Sequence, residues 1–184
     1  MNFAIQKYTS KDYFLLPEGS NYQLIEGGLV MSPAPSPYHQ RIVLKLSSFF
    51  FNQIEIGKLG KVFISPIDVY LDEENIYQPD ILVVLKENEK IIEEKYIKGA
   101  PDLVVEVLSM SNAYYDLRTK KNIYQRYGVK EYWIVDPMEK SIEVYWNTGE
   151  GYELKEYASL NKKKGIKSIL IQKIACNLEY IFGD

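Results

Sequence analysis

Two carboxylates and a lysine near the middle of the chain have the residue types of a metal-and-water site. Asp80 follows Pro79 and opens the apolar run Ile81-Leu82-Val83-Val84-Leu85, and Glu106 interrupts a second run, Leu103-Val104-Val105-Glu106-Val107-Leu108. An ionised carboxylate between two valines either faces solvent at a sheet end or needs a cation, because burying an unpaired charge is prohibitively costly. Two acids on neighbouring buried strands suit Mg²⁺, which takes oxygen ligands, keeps several waters and uses one or two protein carboxylates beside substrate phosphate oxygens. Such an ion generates hydroxide and neutralises charge on a phosphodiester in the transition state, and Lys120 would orient or deprotonate the attacking water. Asp102 also follows a proline, but four strand steps set it roughly 13 Å from Glu106, so it reads as a strand-start residue.

The elements needed to position these groups are legible in the pattern. Val and Leu on both faces of 103–108 suit a strand covered on both sides, with turn chemistry in Gly99-Ala100-Pro101-Asp102 before it. Ser109-Met110-Ser111-Asn112 offers N-caps for a helix over Ala113–Tyr127, ended by Gly128. Its inward stripe is Ala113, Leu117, Tyr124 and Tyr127, and the missing member of that series is Lys120. Lys120 either faces the carboxylates, or snorkels outward or pairs with Asp116 at the favourable four-residue spacing. Lys121 falls off the stripe and reads as surface.

Upstream, Thr9-Ser10-Lys11-Asp12 caps a short helix closed by Pro17. Tyr22–Glu26 and Leu29–Met31 read as strands joined by a Gly27-Gly28 turn, with Glu26 either a solvated turn residue or part of the site. A helix from Tyr38 to Ile54 carries Ile42, Leu46, Phe49, Phe50 and Ile54 on one face. His39, the only histidine, lies at that stripe's N-terminal edge, as a packed or capping residue or, in a helix's first turn, beside bound phosphate. Val62–Ile64 and Ile67–Leu71 are strands broken at Ser65-Pro66, with an acidic turn at Asp72–Asn75 and a hairpin expected there; a charged connection with a short helix spans 86–98. Downstream come strands over Glu131–Pro137, Ser141–Trp146 and Tyr152–Tyr157, a basic turn at Asn161–Gly165 that is solvated or touches phosphate, a strand over Ile166–Ile174, and a docking helix over Leu178–Phe182.

With 184 residues, 46% of them hydrophobic and 26% charged, one domain over 1–184 is expected. A net charge of −3 argues against gripping nucleic acid by bulk positive charge, though a local patch or a bound metal would still serve. A lone cysteine excludes an intramolecular disulfide, the first residues lack signal-peptide character and no apolar run is long enough to span a bilayer, so a cytoplasmic protein without membrane attachment is expected. Sixteen tyrosines against seven phenylalanines suit half-buried surfaces and interfaces.

Pro79-Asp80 followed by Glu106-Val107-Leu108 on a second strand resembles the PD-(D/E)XK nuclease superfamily. An ordered series is similar to its Uma-two family of restriction-endonuclease-like proteins, from about Tyr8 to the C-terminus: Tyr22–Gly27, Met31–Ser36 with His39, Gln78–Ile81, Pro101–Ser109, Tyr115-Asp116 with Lys120 and Tyr124, and Gly128–Pro137. The resemblance implies an α/β (α+β) restriction-endonuclease-like core, a mixed β-sheet flanked by helices with additional N- and C-terminal hairpins. It implies Mg²⁺ or Mn²⁺ on Asp80, Glu106 and the carbonyl of Val107, hydrolysis of a DNA phosphodiester leaving a 5′-phosphate, and Lys120 as the catalytic lysine, since Leu108 stands where the superfamily's strand lysine would be. Glu26, His39 and Gln78 are its accessory candidates. DNA and a second copy of the chain are the implied partners; duplex cleavage needs two sites. The alternatives are a nuclease-fold module that binds nucleic acid or dimerises without cutting, and a metal-dependent phosphoesterase for a small or RNA substrate.

Overall fold

Local chemistry sets each element in turn. The computed structural model describes residues 7–109, 115–162, 165–171 and 175–183. Asp12 accepts from both the backbone N and the Oγ1 of Thr9 and starts α1 (Ser10–Tyr13). β1 (Tyr22–Ile25) and β2 (Gly28–Met31) form a hairpin whose turn residues are Glu26 and Gly27, with φ of 49° and 78°. The turn therefore lies one residue earlier than a Gly27-Gly28 turn would: two consecutive left-handed residues match the strand twist, and Gly28 is already paired with Ile25. α2 (Pro37–Ile54) begins with Pro37 and a Ser36 cap on the His39 amide, and buries His39, Ile42, Val43, Leu46, Phe50 and Ile54.

β3 (Gly60–Ile64) comes next, then the hairpin of β4 (Val69–Asp72) with β5 (Asn75–Tyr77). β6 (Ile81–Leu85) leads through a 3₁₀ turn over Lys86–Ile91 to β7 (Ile97–Lys98) and β8 (Leu103–Val107). A π-helical turn over Tyr115–Lys120 runs into α3 (Lys121–Tyr127), closed by Gly128 at φ 88°. The start expected for this helix at Ala113, and its candidate caps Ser111 and Asn112, lie outside the described residues. β9 (Glu131–Asp136), β10 (Ser141–Asn147) and β11 (Tyr152–Ser159) form a meander. β12 (Gly165–Lys167) and β13 (Ala175–Asn177) pair with each other, and Asn177 caps α4 (Leu178–Phe182).

The main sheet has the order β11-β10-β9-β8-β6-β3, antiparallel except for the parallel β8–β9 pair. The fold is thus the mixed sheet flanked by helices that the resemblance implies. Leu103, Val105 and Val107 pack with Ile42, Leu46 and Phe50 of α2 on one face, and Val104 packs with Ile123, Tyr124 and Tyr132 on the other.

The break at Ser65-Pro66 and the hairpin expected at the acidic turn are both present: β3 edges the main sheet, while β4 and β5, paired around Asp72–Asn75, join the N-terminal hairpin in a second sheet of order β2-β1-β5-β4-β7. Pro66 has no amide to give a ladder, so the chain changes sheet there. The strand expected over Ile166–Ile174 is corrected, since 166–174 is not one strand. It leaves the ladder after Lys167, and Ser168 turns the chain by accepting the Ile171 amide on its hydroxyl at 2.9 Å; residues 172–174 lie outside the described ones.

That turn is latched by Glu131, which is fully buried. Its carboxylate accepts from Trp133 Nε1 and, at 2.7 Å, from the Leu170 amide. Burial pushes its pKa above the ordinary glutamate value of 4.5 although these hydrogen bonds pull it down. Among the described residues no helix is long and apolar enough to cross a membrane. Glu131→Gln removes one acceptor from the latch, and urea denaturation at neutral pH is expected to show a loss of about 1–3 kcal/mol. A raised native pKa means that the folded state holds the proton longer, so this group's contribution falls as pH rises above 4.5. The stability difference between wild type and Glu131→Gln should therefore be largest near pH 4 and shrink as the pH is raised.

Candidate functional site

The register of the central strands brings the two acids together. β6 and β8 pair with Ile81 opposite Val105 and Leu82 opposite Val104, and one more step along the same register sets Asp80 opposite Glu106. Side chains alternate along a strand, so Asp80 shares the face of Leu82 and Glu106 that of Val104, the face covered by α3. Asp80 Oδ2 accepts the Val107 amide at 2.8 Å, which ties the residue before β6 to the end of β8.

Glu106 is buried and its cation is Lys120. The two side chains are 4% and 3% exposed, and Nζ lies 2.9 Å from Oε1. Of the readings open for Lys120, contact with the carboxylate is the one realised; the Asp116 side chain lies outside those described. The same Oε1 accepts a second hydrogen bond at 2.9 Å, from the hydroxyl of Tyr124. Tyr124 is fully buried. Burial and the Glu106 charge push its pKa well above the ordinary tyrosine range, so the hydroxyl keeps its proton and donates.

His39 closes the other side. Its Nε2 is 2.9 Å from the carbonyl oxygen of Val107 and 3.4 Å from Asp80 Oδ2. A carbonyl can only accept, so this nitrogen carries the hydrogen and faces both oxygens. Asp80 with Val107 and His39, and Glu106 with Lys120 and Tyr124, thus form two adjoining groups joined through consecutive residues of β8.

The other candidates point elsewhere. The Gln78 amide donates to Asp68 Oδ1 at 2.9 Å and to Tyr13 Oη at 3.3 Å, and its backbone N donates to Gln23, so its polar contacts are to the second sheet and α1. Glu26 is the exposed first turn residue of the β1–β2 hairpin and lines a polar cavity of about 620 Å³ with Lys7, Asp72 and Arg126. Asp102 starts β8 as expected and takes the Leu85 amide and Lys130 Nζ, each at 2.8 Å. Lys121 is not plain surface. Its ammonium lies 3.3 Å from the centroid of the Tyr145 ring, and burial lowers its pKa. Tyr124 is the site residue whose role the pattern did not reveal; the available signal was its place four residues after Lys120 on the same stripe.

Among the described residues no three His, Cys, Asp or Glu side chains form a metal cluster. A metal here would draw on two carboxylates and the Val107 carbonyl, an all-oxygen set of the kind Mg²⁺ and Mn²⁺ accept while keeping waters. The donors therefore fit such an ion.

The fold is a mixed sheet flanked by helices, with acids at the adjoining ends of two central strands. The chain is similar in fold to the crystal structure of "a putative nuclease belonging to DUF820" from Anabaena variabilis, with a TM-score of 0.77 and 19% identity, covering 95% of this chain and 97% of that one. Residues 10–177 match the Uma2 family model, described as "Putative restriction endonuclease", and the chain belongs to that family. An uncharacterized protein of Synechocystis sp. is 27% identical over 131 residues, 70% of this chain and 73% of that protein.

The buried pair makes a stability prediction. Lys120→Met leaves Glu106 buried without its ammonium, and urea denaturation should show a loss of about 3–5 kcal/mol. Combining it with Glu106→Gln should restore much of that loss, because the charge then goes with its partner.

Proposed function

We propose that this protein is a metal-dependent endonuclease that hydrolyses DNA phosphodiester bonds, with Asp80, Glu106 and the Val107 carbonyl holding Mg²⁺ or Mn²⁺. The observation that carries the reading is the Glu106–Lys120 contact of 2.9 Å next to an Asp80 tethered to Val107. A buried acid, a second acid on the adjoining strand and an ammonium among them are the parts that phosphodiester hydrolysis needs. The family description and the nuclease named for the structural neighbour support the same class of reaction. When bound, such an ion activates water and neutralises charge on the scissile phosphate.

The chain's own groups do the rest. The Val107 amide orients Asp80, and His39 Nε2 holds the Val107 carbonyl and Asp80 in one arrangement. Lys120 lies against Glu106, and from there its ammonium would orient the attacking water and the phosphate oxygens. Duplex DNA presents two strands to cut, and a homodimer would bring one site to each. Glu26 and Gln78 have no role in this mechanism.

A second reading has one observation on its side. His39 and Lys120 already contact the oxygens of Asp80, Val107 and Glu106, as they would in a nuclease-fold module that binds nucleic acid or dimerises without cutting. Calorimetric titration of Mn²⁺ separates the two. The nuclease reading expects wild-type uptake that is lost in both Asp80→Asn and Glu106→Gln, together with loss of Mg²⁺-dependent cleavage of plasmid DNA in the same variants. Cleavage retained in either variant would overturn it, and DNA binding without metal uptake or cleavage would establish the non-cutting module.

A further inference from the structure

We propose that Tyr124 is a positioning residue of this site, whose buried hydroxyl fixes the Glu106 carboxylate for metal ligation independently of Lys120. The inference rests on the reading of Glu106 as a ligand. Its starting point is that Glu106 Oε1 takes two donors at the same distance, 2.9 Å, from Lys120 Nζ and from Tyr124 Oη. The two differ in what they can hold still. Lys120 ends a flexible four-carbon stem, and orienting a water requires its ammonium to share its donors with other groups. A carboxylate held by that lysine alone would turn whenever the lysine did.

Tyr124 has no such freedom. Its ring is fully buried, stands edge-on to Tyr77 at 5.5 Å and 89°, and is tilted at 56° against Tyr132 at 5.4 Å. Tyr132 in turn stacks on Tyr152 at 5.8 Å. A side chain with two torsions, clamped between two rings, has one place for its hydroxyl. Tyr124 thus holds one oxygen of Glu106 from the protein side and sets the plane of the carboxylate. This is the outer-shell device that orients ligating carboxylates, and losing such a partner costs about 10–100-fold in metal affinity or activity.

A tyrosine that merely fills the core predicts something different, and Tyr77 provides the control. It is buried in the same ladder, but its hydroxyl donates to Asn75 Oδ1 at 3.1 Å. Tyr124→Phe and Tyr77→Phe each remove one buried hydroxyl and keep the ring. Mn²⁺ titration calorimetry on folded samples, checked by circular dichroism, is expected to show a dissociation constant raised about tenfold in Tyr124→Phe and within about twofold of wild type in Tyr77→Phe. 3-Fluorotyrosine at position 124 keeps the donor and should retain wild-type affinity. Wild-type affinity in Tyr124→Phe, or equal weakening in Tyr77→Phe, would overturn the inference while the nuclease reading stands. A wild-type protein that takes up no Mn²⁺ overturns both.

Discussion

A carboxylate placed between two valines of a central strand is the constraint on which this structure turns. Glu106 lies in β8, which has β6 on one side, β9 on the other and helices over both faces. A charge there needs a partner of opposite sign and donors for its oxygens. Lys120 and Tyr124 meet that requirement from one helical segment, on which they are four residues apart. The π-helical turn and α3 must therefore lie across the sheet where their inner stripe meets Glu106. The parallel β8–β9 pair fits this, because a parallel pair needs a crossover over one face of the sheet.

The other face answers to a different need. α2 is amphipathic and buries Ile42, Leu46 and Phe50 against Val105, Val107 and Trp133, with Phe50 edge-on to the indole at 5.2 Å. The same packing carries the first turn of α2 to the end of β8, where His39 meets the Val107 carbonyl. One helix thus contributes both core and site, and the stripe that buries its apolar residues also aims its histidine. At the other end of the β8–β9 pair, where Glu131 lies opposite Leu103, another buried carboxylate is met by donors of its own. Glu131 gathers an indole and a backbone amide onto one carboxylate and fastens the turn after β12 to the start of β9.

Much of this was legible in the residues. The stripe of α2, the strand over Glu131–Asp136 and the docking helix over Leu178–Phe182 all follow from local periodicity and caps, because each depends on residues a few positions apart. The resemblance carried by the Tyr22, Asp80, Glu106 and Trp133 segments led to the family that residues 10–177 match. What the residues left open was not local: whether the strand after Pro66 pairs with β6 or with the N-terminal hairpin depends on partners distant in sequence. The hairpin turn moved to Glu26-Gly27 because pairing register, rather than glycine content, selects the two left-handed residues.

The sequence by itself determined which residues carry charge into apolar surroundings: an acid in each of two buried strands and a lysine on the inner stripe of a helix. Composition and spacing suffice for that, since burying a charge is costly whatever the fold. Only the tertiary structure decided which groups meet them. It took Gln78 to Asp68 and Tyr13, left Glu26 at an exposed turn, brought His39 to Val107 and Asp80, and gave Glu106 a tyrosine as well as a lysine. These pairings join residues on different elements, and they follow from strand register and helix placement, which the packing of the whole molecule sets.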